Sequence, residues 1–270
     1  MIRATEADRA AIETLLGARP ELAMFPLANL AAHGMAGGHE RAMTFWLDGD
    51  AVLGVTDEGM AMPLWPDGFE AARLAAALSG HALMGCAGPA GPVRALLSAL
   101  SLTDAPARLS EDEPQFLLSL SGMVVPDGPG TLAPLAADVD TAAAWRLAYD
   151  RELHVGAGTI DAARAEVERW IAADSHRFLM IDGRPAAMTG FNAALPDIVQ
   201  VGGVFTPPEA RCRGLARRAV ALHLAEARAA GATRATLFAA SDAAVACYAP
   251  LGFRRIGDYA LVLFDGMMAA

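Results

Sequence analysis

The segment 200–217 constrains the fold more than any other part of the chain, because it predicts a strand that breaks into a loop and continues directly into a helix. Val204 and Phe205 favour an extended strand. Pro207 and Pro208 end that strand, because proline has no N–H to donate to a neighbouring strand. The segment is therefore predicted to place a ligand-binding loop at the end of a strand.

A helix is predicted from residue 215 to residue 230, where apolar side chains recur at helical spacing until Gly231. Gly214 precedes this helix and lets the backbone come close to a bound group. The first N–H groups of a helix have no carbonyl partner within it and carry the positive end of the helix dipole. Four arginines surround this end: Arg211, Arg213, Arg217 and Arg218. The arrangement favours a pyrophosphate as its ligand.

The loop pattern Arg211-x-x-Gly214-x-Ala216 resembles the acyl-CoA pyrophosphate loop of the GNAT acyltransferase superfamily, in which Arg or Gln is followed by two residues, Gly, one residue and then Gly or Ala. The three spaced glycines of a dinucleotide-binding fold are absent, and so is the Gly-Lys-Ser/Thr of a P-loop. Taken alone, the six-residue pattern also fits a surface loop with arginines in front of a helix.

A second resemblance lies downstream, in Tyr248-x-x-Leu-Gly-Phe. A short strand and a helix at 241–249 connect it to the loop, and two closing strands are predicted at 253–256 and 259–264. In the family this tyrosine lies near the sulfur of CoA. The family often has Asn seven residues earlier, where this chain has Ser241, whose hydroxyl can still cap the helix.

Upstream elements complete the order expected for one GNAT domain. They are a strand at 131–135, helices at 140–152 and 161–173, a hairpin of strands 178–181 and 186–191 with its turn at Asp182-Gly183, and the strand 198–205. The resemblance covers about residues 126–270 and implies an α/β fold with a mixed, mostly antiparallel central sheet flanked by helices.

The first half of the chain is predicted to repeat this plan without the anion-binding loop. The hairpin pattern around Asp48-Gly49 matches the one around Asp182-Gly183. After the apolar strand 59–64 comes the segment 65–69, Trp-Pro-Asp-Gly-Phe, which has no arginine and adds an acid. The resemblance therefore implies two GNAT-like domains and one CoA per chain, with a degenerate domain at 1–125 and a catalytic domain at 126–270.

Two other segments have simple interpretations. The glycine-rich stretch 85–92 precedes a helical run, but Arg94 is the only cation near it, so a strand-to-helix turn is favoured over a second phosphate loop. The Pro- and Gly-rich stretch 125–130 is the predicted seam between the domains, and a chain of 270 residues has room for two cores.

Composition narrows the function classes. The three cysteines, Cys86, Cys212 and Cys247, lack metal-ligand spacing, so we expect no metal site and a reduced, cytoplasmic compartment. No His is paired in sequence with a Cys, and the implied chemistry needs no covalent intermediate. No signal peptide is visible, and no apolar run approaches the roughly 18 residues of a membrane span. A formal net charge of −10 argues against a general nucleic-acid binder.

The resemblance implies direct transfer of an acetyl group from acetyl-CoA to an amine. The pantetheine arm would pair with the strand end like an added strand, and a main-chain N–H near Val204 would polarise the thioester carbonyl. Tyr248 would protonate the departing thiolate, although it also fits a core aromatic. The residues implied in cofactor binding are Val204, Phe205, Thr206, Arg211, Cys212, Arg213, Gly214, Leu215, Ala216, Arg217 and Ser241.

The general base is predicted in the segment 149–154. Glu152 or His154 could remove the amine proton, directly or through water, and each also fits a solvated helix end. The expected acceptor is a primary amine of a small molecule or peptide. Two alternatives stay open: a non-catalytic acyl-CoA-binding regulator, and an acyltransferase that uses a longer acyl-CoA or a non-amine acceptor.

Overall fold

The computed structural model describes residues 1–270, which form two compact units. Unit 1 contains Met1–Pro114 and Gly257–Ala270, and unit 2 contains Gln115–Ile256. Each half of the chain runs through the same order of elements: strand, two helices, three strands, helix, strand, helix, strand. The predicted α/β fold with an internal repeat is confirmed.

The elements of the first half are β1 Ile2–Arg3, α1 Arg9–Gly17, α2 Met24–His33, β2 Met43–Asp48, β3 Ala51–Thr56, β4 Met60–Leu64, α3 Ala72–Ala75, β5 Ala82–Pro89, α4 Ala90–Ala99 and β6 Ala107–Ser119. Those of the second half are β7 Thr131–Pro134, α5 Val139–Leu153, α6 Ile160–Ala172, β8 His176–Ile181, β9 Arg184–Ala194, β10 Ile198–Phe205, α7 Leu215–Ala229, β11 Arg234–Phe238, α8 Asp242–Tyr248 and β12 Arg254–Ala269. No helix is long and apolar enough to cross a membrane.

Each unit contains a run of six neighbouring strands. The strand order is β1-β2-β3-β4-β5-β12 in unit 1 and β6-β11-β10-β9-β8-β7 in unit 2. Within each unit one pair is parallel, β4 with β5 and β10 with β11, and the other pairs are antiparallel. A parallel pair needs a crossover connection, and α3 and α7 supply it.

The last strand of each run comes from the other half of the chain. Residues 259–269 of β12 pair with β5 in unit 1, and residues 115–119 of β6 pair with β11 in unit 2. The prediction that 253–256 and 259–264 form two strands closing the second domain was wrong, because residues 254–269 form one strand. Gly257 has an extended backbone there, so the chain passes through it without a turn.

The compact units differ from the predicted domain limits at two places. The predicted boundary at 125–130 separates the two repeats in the order of helices and strands. Packing, however, assigns residues 115–125 to unit 2 and residues 257–270 to unit 1. The difference follows from the exchange of β6 and β12, because a strand is counted with the run of strands to which it is hydrogen-bonded.

Unit 2 buries apolar side chains on both faces of its sheet. On one face Val220 and Leu224 of α7 pack in a cluster with Val199 and Leu237. On the other, α5 and α6 cover a cluster that includes Phe178, Met188, Trp170 and Phe205. The helices on both faces hold β10 and β11 in place up to the point where the strands end.

Two histidines are buried in unit 2. The His176 ring stacks on Trp170 with centroids 3.7 Å apart, and the His223 ring stacks on Phe191 at 3.9 Å. Burial lowers the pKa of both imidazoles, that of His223 to about 3, and His223 lowers the pKa of His176 further. Both rings are therefore neutral in the folded protein at neutral pH.

We expect mild acid to destabilise the protein through these histidines. In the unfolded chain they bind a proton near pH 6.5, whereas folded His223 binds one only near pH 3. The free energy of unfolding should therefore be insensitive to them above about pH 6.5 and fall from there toward pH 3, by about 1.4 kcal/mol per pH unit for each histidine. Urea titrations across this range measure the slope. His223→Phe should reduce it, and an unchanged slope would contradict this origin.

Candidate functional site

The candidate site of unit 2 lies where two parallel strands separate. β10 and β11 pair from Ile198 opposite Arg234 to Gln200 opposite Thr236, and their pairing ends there. The β11-facing edge of β10 is therefore unpaired from Val201 onward. A strand edge with N–H and C=O groups available can hydrogen-bond an extended ligand.

Two irregularities in the pairing of β9 with β10 flank this edge. One falls between Gly202 and Phe205, where Gly203 has a φ of +61°. The other falls between Gln200 and Val201, and it leaves Asn192 of β9 without an opposite residue. Bulges of this kind bend a strand and take a residue out of the ladder. The bend lies next to Val204. The resemblance implied that a main-chain N–H near this residue polarises the thioester carbonyl.

The N-terminus of α7 is open, as the sequence predicted. Gly214 is its N-cap, with φ +75° and ψ 9°, a left-handed conformation that favours glycine. The first helical hydrogen bond runs from the Arg218 N–H to the Gly214 carbonyl at 3.0 Å, so the N–H groups of residues 215–217 precede the ladder. A Cβ at Gly214 would meet no atom within 4 Å, so the space beside this residue is open.

Arg211 is engaged by the segment predicted to hold the general base. Its Nε donates to the Thr206 carbonyl at 2.9 Å, and its Nη2 lies 2.7 and 2.9 Å from the two carboxylate oxygens of Glu152. The guanidinium also lies over the Phe205 ring, 5.8 Å from its centroid. The contact joins the end of α5 to the loop that follows β10.

The other three arginines have different surroundings. Arg217 donates to two carbonyls at the end of α8, and Arg218 donates to the Pro126 carbonyl. Arg213 is exposed and makes no hydrogen bond or ion pair. The charge nearest the open helix end with no partner in the protein is therefore that of Arg213.

Tyr248 is the last residue of α8 and is 8% exposed. Its ring meets Phe253 edge-on, with centroids 6.1 Å apart. Burial raises the pKa of its hydroxyl, and Cys247 and Tyr149 raise it further. The hydroxyl therefore carries its proton at neutral pH, as a general acid must.

Ser241 caps α8 in place of the asparagine frequent in the family. Its hydroxyl oxygen accepts the Ala244 N–H at 3.2 Å. Burial raises the pKa of the nearby Cys247 thiol, which makes it a poor nucleophile. Cys212 is exposed, with a φ of +60°. A cysteine nucleophile gains no support from these surroundings.

His154, the second base candidate, ends α5 in a left-handed conformation with φ 54°. Its imidazole is exposed and has no hydrogen-bond partner in the protein. Glu152, two residues earlier, is also exposed but is held by Arg211. The two candidates lie on the same helix end, and only His154 has an unengaged side chain.

Sequence reasoning passed over two polar residues near this site. Asn192 is exposed, and its amide occupies the space above Gly202, where an added Cβ would lie 1.9 Å from Asn192 Nδ2. Asp150 is 3% exposed and lies 2.8 Å from Arg146; burial raises its pKa and Arg146 opposes that rise. The pair of glycines 202–203 inside a strand was the available signal for Asn192, because glycine in a strand marks a close approach.

The chain is similar to a known family and to solved structures. A profile described as the acetyltransferase (GNAT) family matches residues 143–253. A GCN5-related N-acetyltransferase from Sphaerobacter thermophilus aligns with 96% of this chain and 93% of its own, at TM-score 0.60 and 14% identity. A GNAT-family acetyltransferase from Colwellia psychrerythraea aligns over 98% and 99%, at TM-score 0.55 and 13% identity.

A Drosophila protein aligns over 97% of both chains, at TM-score 0.66 and 14% identity. No curated protein matches the sequence. The structural similarities extend over nearly the whole chain and therefore concern both halves of the fold. The chain thus has two domains of the GNAT fold, and residues 143–253 match the model of the acetyltransferase (GNAT) family.

Proposed function

We propose that the protein is an N-acyltransferase that transfers an acetyl group from acetyl-CoA to a primary amine of a small molecule or peptide. The observation that carries this proposal is the unpaired edge of β10, which leads within a few residues to the open N-terminus of α7. Acetyl-CoA has the two parts that such a surface fits, an extended arm with amide groups and a pyrophosphate.

Each part of the donor has a proposed contact. The pantetheine arm pairs with the backbone of Val204 and Thr206 and extends the sheet by one strand. The pyrophosphate accepts hydrogen bonds from the N–H groups of residues 213–217, and Arg213 adds a charge at the exposed side. Arg211 reaches the pyrophosphate only if its ion pair with Glu152 rearranges, so its first role is to fix the loop against α5.

The proposed chemistry is a direct displacement. The neutral amine nitrogen attacks the thioester carbon, a main-chain N–H near Val204 stabilises the charge that develops on the carbonyl oxygen, and the C–S bond breaks. The Tyr248 hydroxyl gives its proton to the departing thiolate, while the amine gives one to a base. His154 is the base we favour, because its ring is unengaged whereas Glu152 is held by Arg211.

The test is acceptor-dependent release of CoA. The purified chain is mixed with acetyl-CoA and separate pools of amines, amino acids and peptides, and free thiol is followed with time. The chain contains no lysine, so an acetylated lysine found by mass spectrometry must belong to an acceptor and not to the enzyme. Tight binding of CoA without thiol release from any pool would favour the regulator. A longer acyl-CoA with a higher kcat/KM than acetyl-CoA would assign a different donor.

Asn192 is expected to contact the acceptor. Its exposed amide lies over the part of β10 that β11 leaves unpaired, close to the bend at Gly203. Asn192→Ala removes a donor and an acceptor without filling the space above Gly202. We expect the KM for the amine identified in the screen to rise by up to about tenfold, because one hydrogen bond to the amine is lost. The KM for acetyl-CoA should stay unchanged.

Asn29→Ala is the control for this variant, because Asn29 lies in unit 1 and is the other asparagine of the chain. Its kinetic constants should equal those of the unaltered protein. An equal change in both Michaelis constants of Asn192→Ala would show that Asn192 supports the sheet rather than the acceptor.

A further inference from the structure

Unit 1 has a cleft at the place that corresponds to the candidate site of unit 2. β4 and β5 pair only from Met60 opposite Gly85 to Ala61 opposite Cys86. A cleft of about 230 Å³ lies beyond, at the ends of both strands, and every residue that lines it belongs to unit 1. The separation of the parallel strands is thus kept in unit 1 although the arginine loop is not.

The apolar part of this cleft is well fixed. Leu64, the last residue of β4, and Trp65 after it are less than 10% exposed, and Pro89 is the last residue of β5. The Trp65 ring packs on Phe69, with centroids 5.3 Å apart. Because these side chains are held by their own neighbours, the cleft offers a preformed apolar wall.

Three charged residues line the same cleft. Arg19 and Asp67 are exposed, and neither forms an ion pair with any residue of the protein, whereas Asp258 is half-buried and is engaged by another group of the protein. In addition, Gly91 lies in the first turn of α4, whose N-cap Pro89 offers no capping side chain. An unpaired cation and an unpaired anion beside one apolar wall match a ligand that carries both charges on an apolar body.

We propose that this cleft binds a small zwitterion of the α-amino acid type with an apolar side chain. Its carboxylate pairs with Arg19, its ammonium pairs with Asp67, and its side chain packs on Leu64 and Trp65. The cleft volume of about 230 Å³ lies below the roughly 300–1,000 Å³ of pockets that hold drug-sized ligands, so it suits an amino acid better than CoA. The carboxylate of Asp67, in a loop without arginine, also opposes a pyrophosphate.

The first experiment is calorimetry on the full chain without acetyl-CoA. Phenylalanine is compared with phenethylamine, which lacks the carboxylate, and with 3-phenylpropionate, which lacks the ammonium. We expect phenylalanine to bind about tenfold or more tightly than either, because each analogue leaves one charge of the cleft unpaired. Equal affinity for all three compounds, or no binding of phenylalanine, would overturn the proposal.

The second experiment closes the cleft without removing a charge. Gly91 lines the cleft, has no atom within 4 Å of its potential Cβ and has an ordinary φ, so we expect Gly91→Leu to add a side chain at the cleft. It should abolish phenylalanine binding and leave CoA binding intact. Gly122→Leu is the control, because Gly122 is exposed, equally unobstructed and part of unit 2. Unchanged phenylalanine binding by Gly91→Leu would place the ligand elsewhere.

Arg19→Gln and Asp67→Asn separate the two charges. Each variant should bind phenylalanine more weakly. Asp67→Asn should bind 3-phenylpropionate with unchanged affinity, and Arg19→Gln should bind phenethylamine with unchanged affinity. CoA affinity is measured on the same samples. The proposal for unit 1 is independent of acetyl transfer by unit 2. If the protein binds phenylalanine but releases no CoA, only the proposed acetyl transfer is refuted.

Discussion

Gly214→Glu is expected to abolish the binding of CoA while the chain remains folded. The new carboxylate would extend from the N-cap of α7 into the open space beside Gly214. A negative charge about 4–5 Å from a pyrophosphate costs on the order of 3–4 kcal/mol at an effective dielectric constant of about 20, which is a loss of at least about 100-fold in affinity. Calorimetric titration with CoA measures the loss, and circular dichroism follows the fold.

The matched control is Gly214→Asn. Gly214 has a φ of +75°, so any other residue there carries backbone strain, and asparagine tolerates this conformation best. Gly214→Asn therefore shares the strain without the charge, and it should retain most of the affinity. The unaltered protein should titrate with one CoA per chain. If the folded Glu variant binds CoA normally, or if two CoA bind per chain, the assignment of the loop is wrong.

Tyr248→Phe is expected to lower kcat by about 10²- to 10⁴-fold, the usual effect of losing a general acid, with the affinity for acetyl-CoA nearly unchanged. Phenylalanine keeps the ring that packs on Phe253, so the change removes only the hydroxyl. Because burial keeps that hydroxyl protonated, the loss should be the same across the neutral pH range. Single-turnover rates with a saturating amine measure the chemical step.

Tyr259→Phe is the control for this variant. Tyr259 is a buried tyrosine of unit 1, and burial raises the pKa of its hydroxyl as well. Its removal should leave kcat unaltered. A kcat of Tyr248→Phe equal to that of the unaltered protein would return Tyr248 to a packing role in the core around Leu251 and Phe253.

Local sequence patterns predicted most of the second half of the fold. The hairpin at Asp182-Gly183 formed as expected, because both residues adopt the positive φ that a tight turn between strands requires. The start of α7 was predictable for a related reason, since Gly214 and the prolines before it leave few alternatives for the backbone. These features depend on residues close together in the chain.

Features that depend on distant residues were not predictable. The partner of β12 is one example, because the apolar run at 259–264 indicates a strand but not the strand beside it. The ion pair of Arg211 with Glu152 is another, since 59 positions separate the two residues and no local pattern indicates their pairing. The orientation of Asn192 results from a bulge that the sequence of β9 does not indicate, and its signal lies in the neighbouring strand, in the glycines 202–203.

The exchanged strands set the order in which the protein can mature during translation. β5 receives its neighbour β12 only when residue 259 and those after it have been synthesised, although β5 itself ends at residue 89. At roughly 5–20 residues per second the ribosome needs on the order of 10–30 seconds for the intervening stretch. Throughout that time the nascent unit 1 exposes an open sheet edge, which is a surface for chaperones and for aggregation. Truncation before residue 259 would therefore damage unit 1, although most of that unit has been made by then.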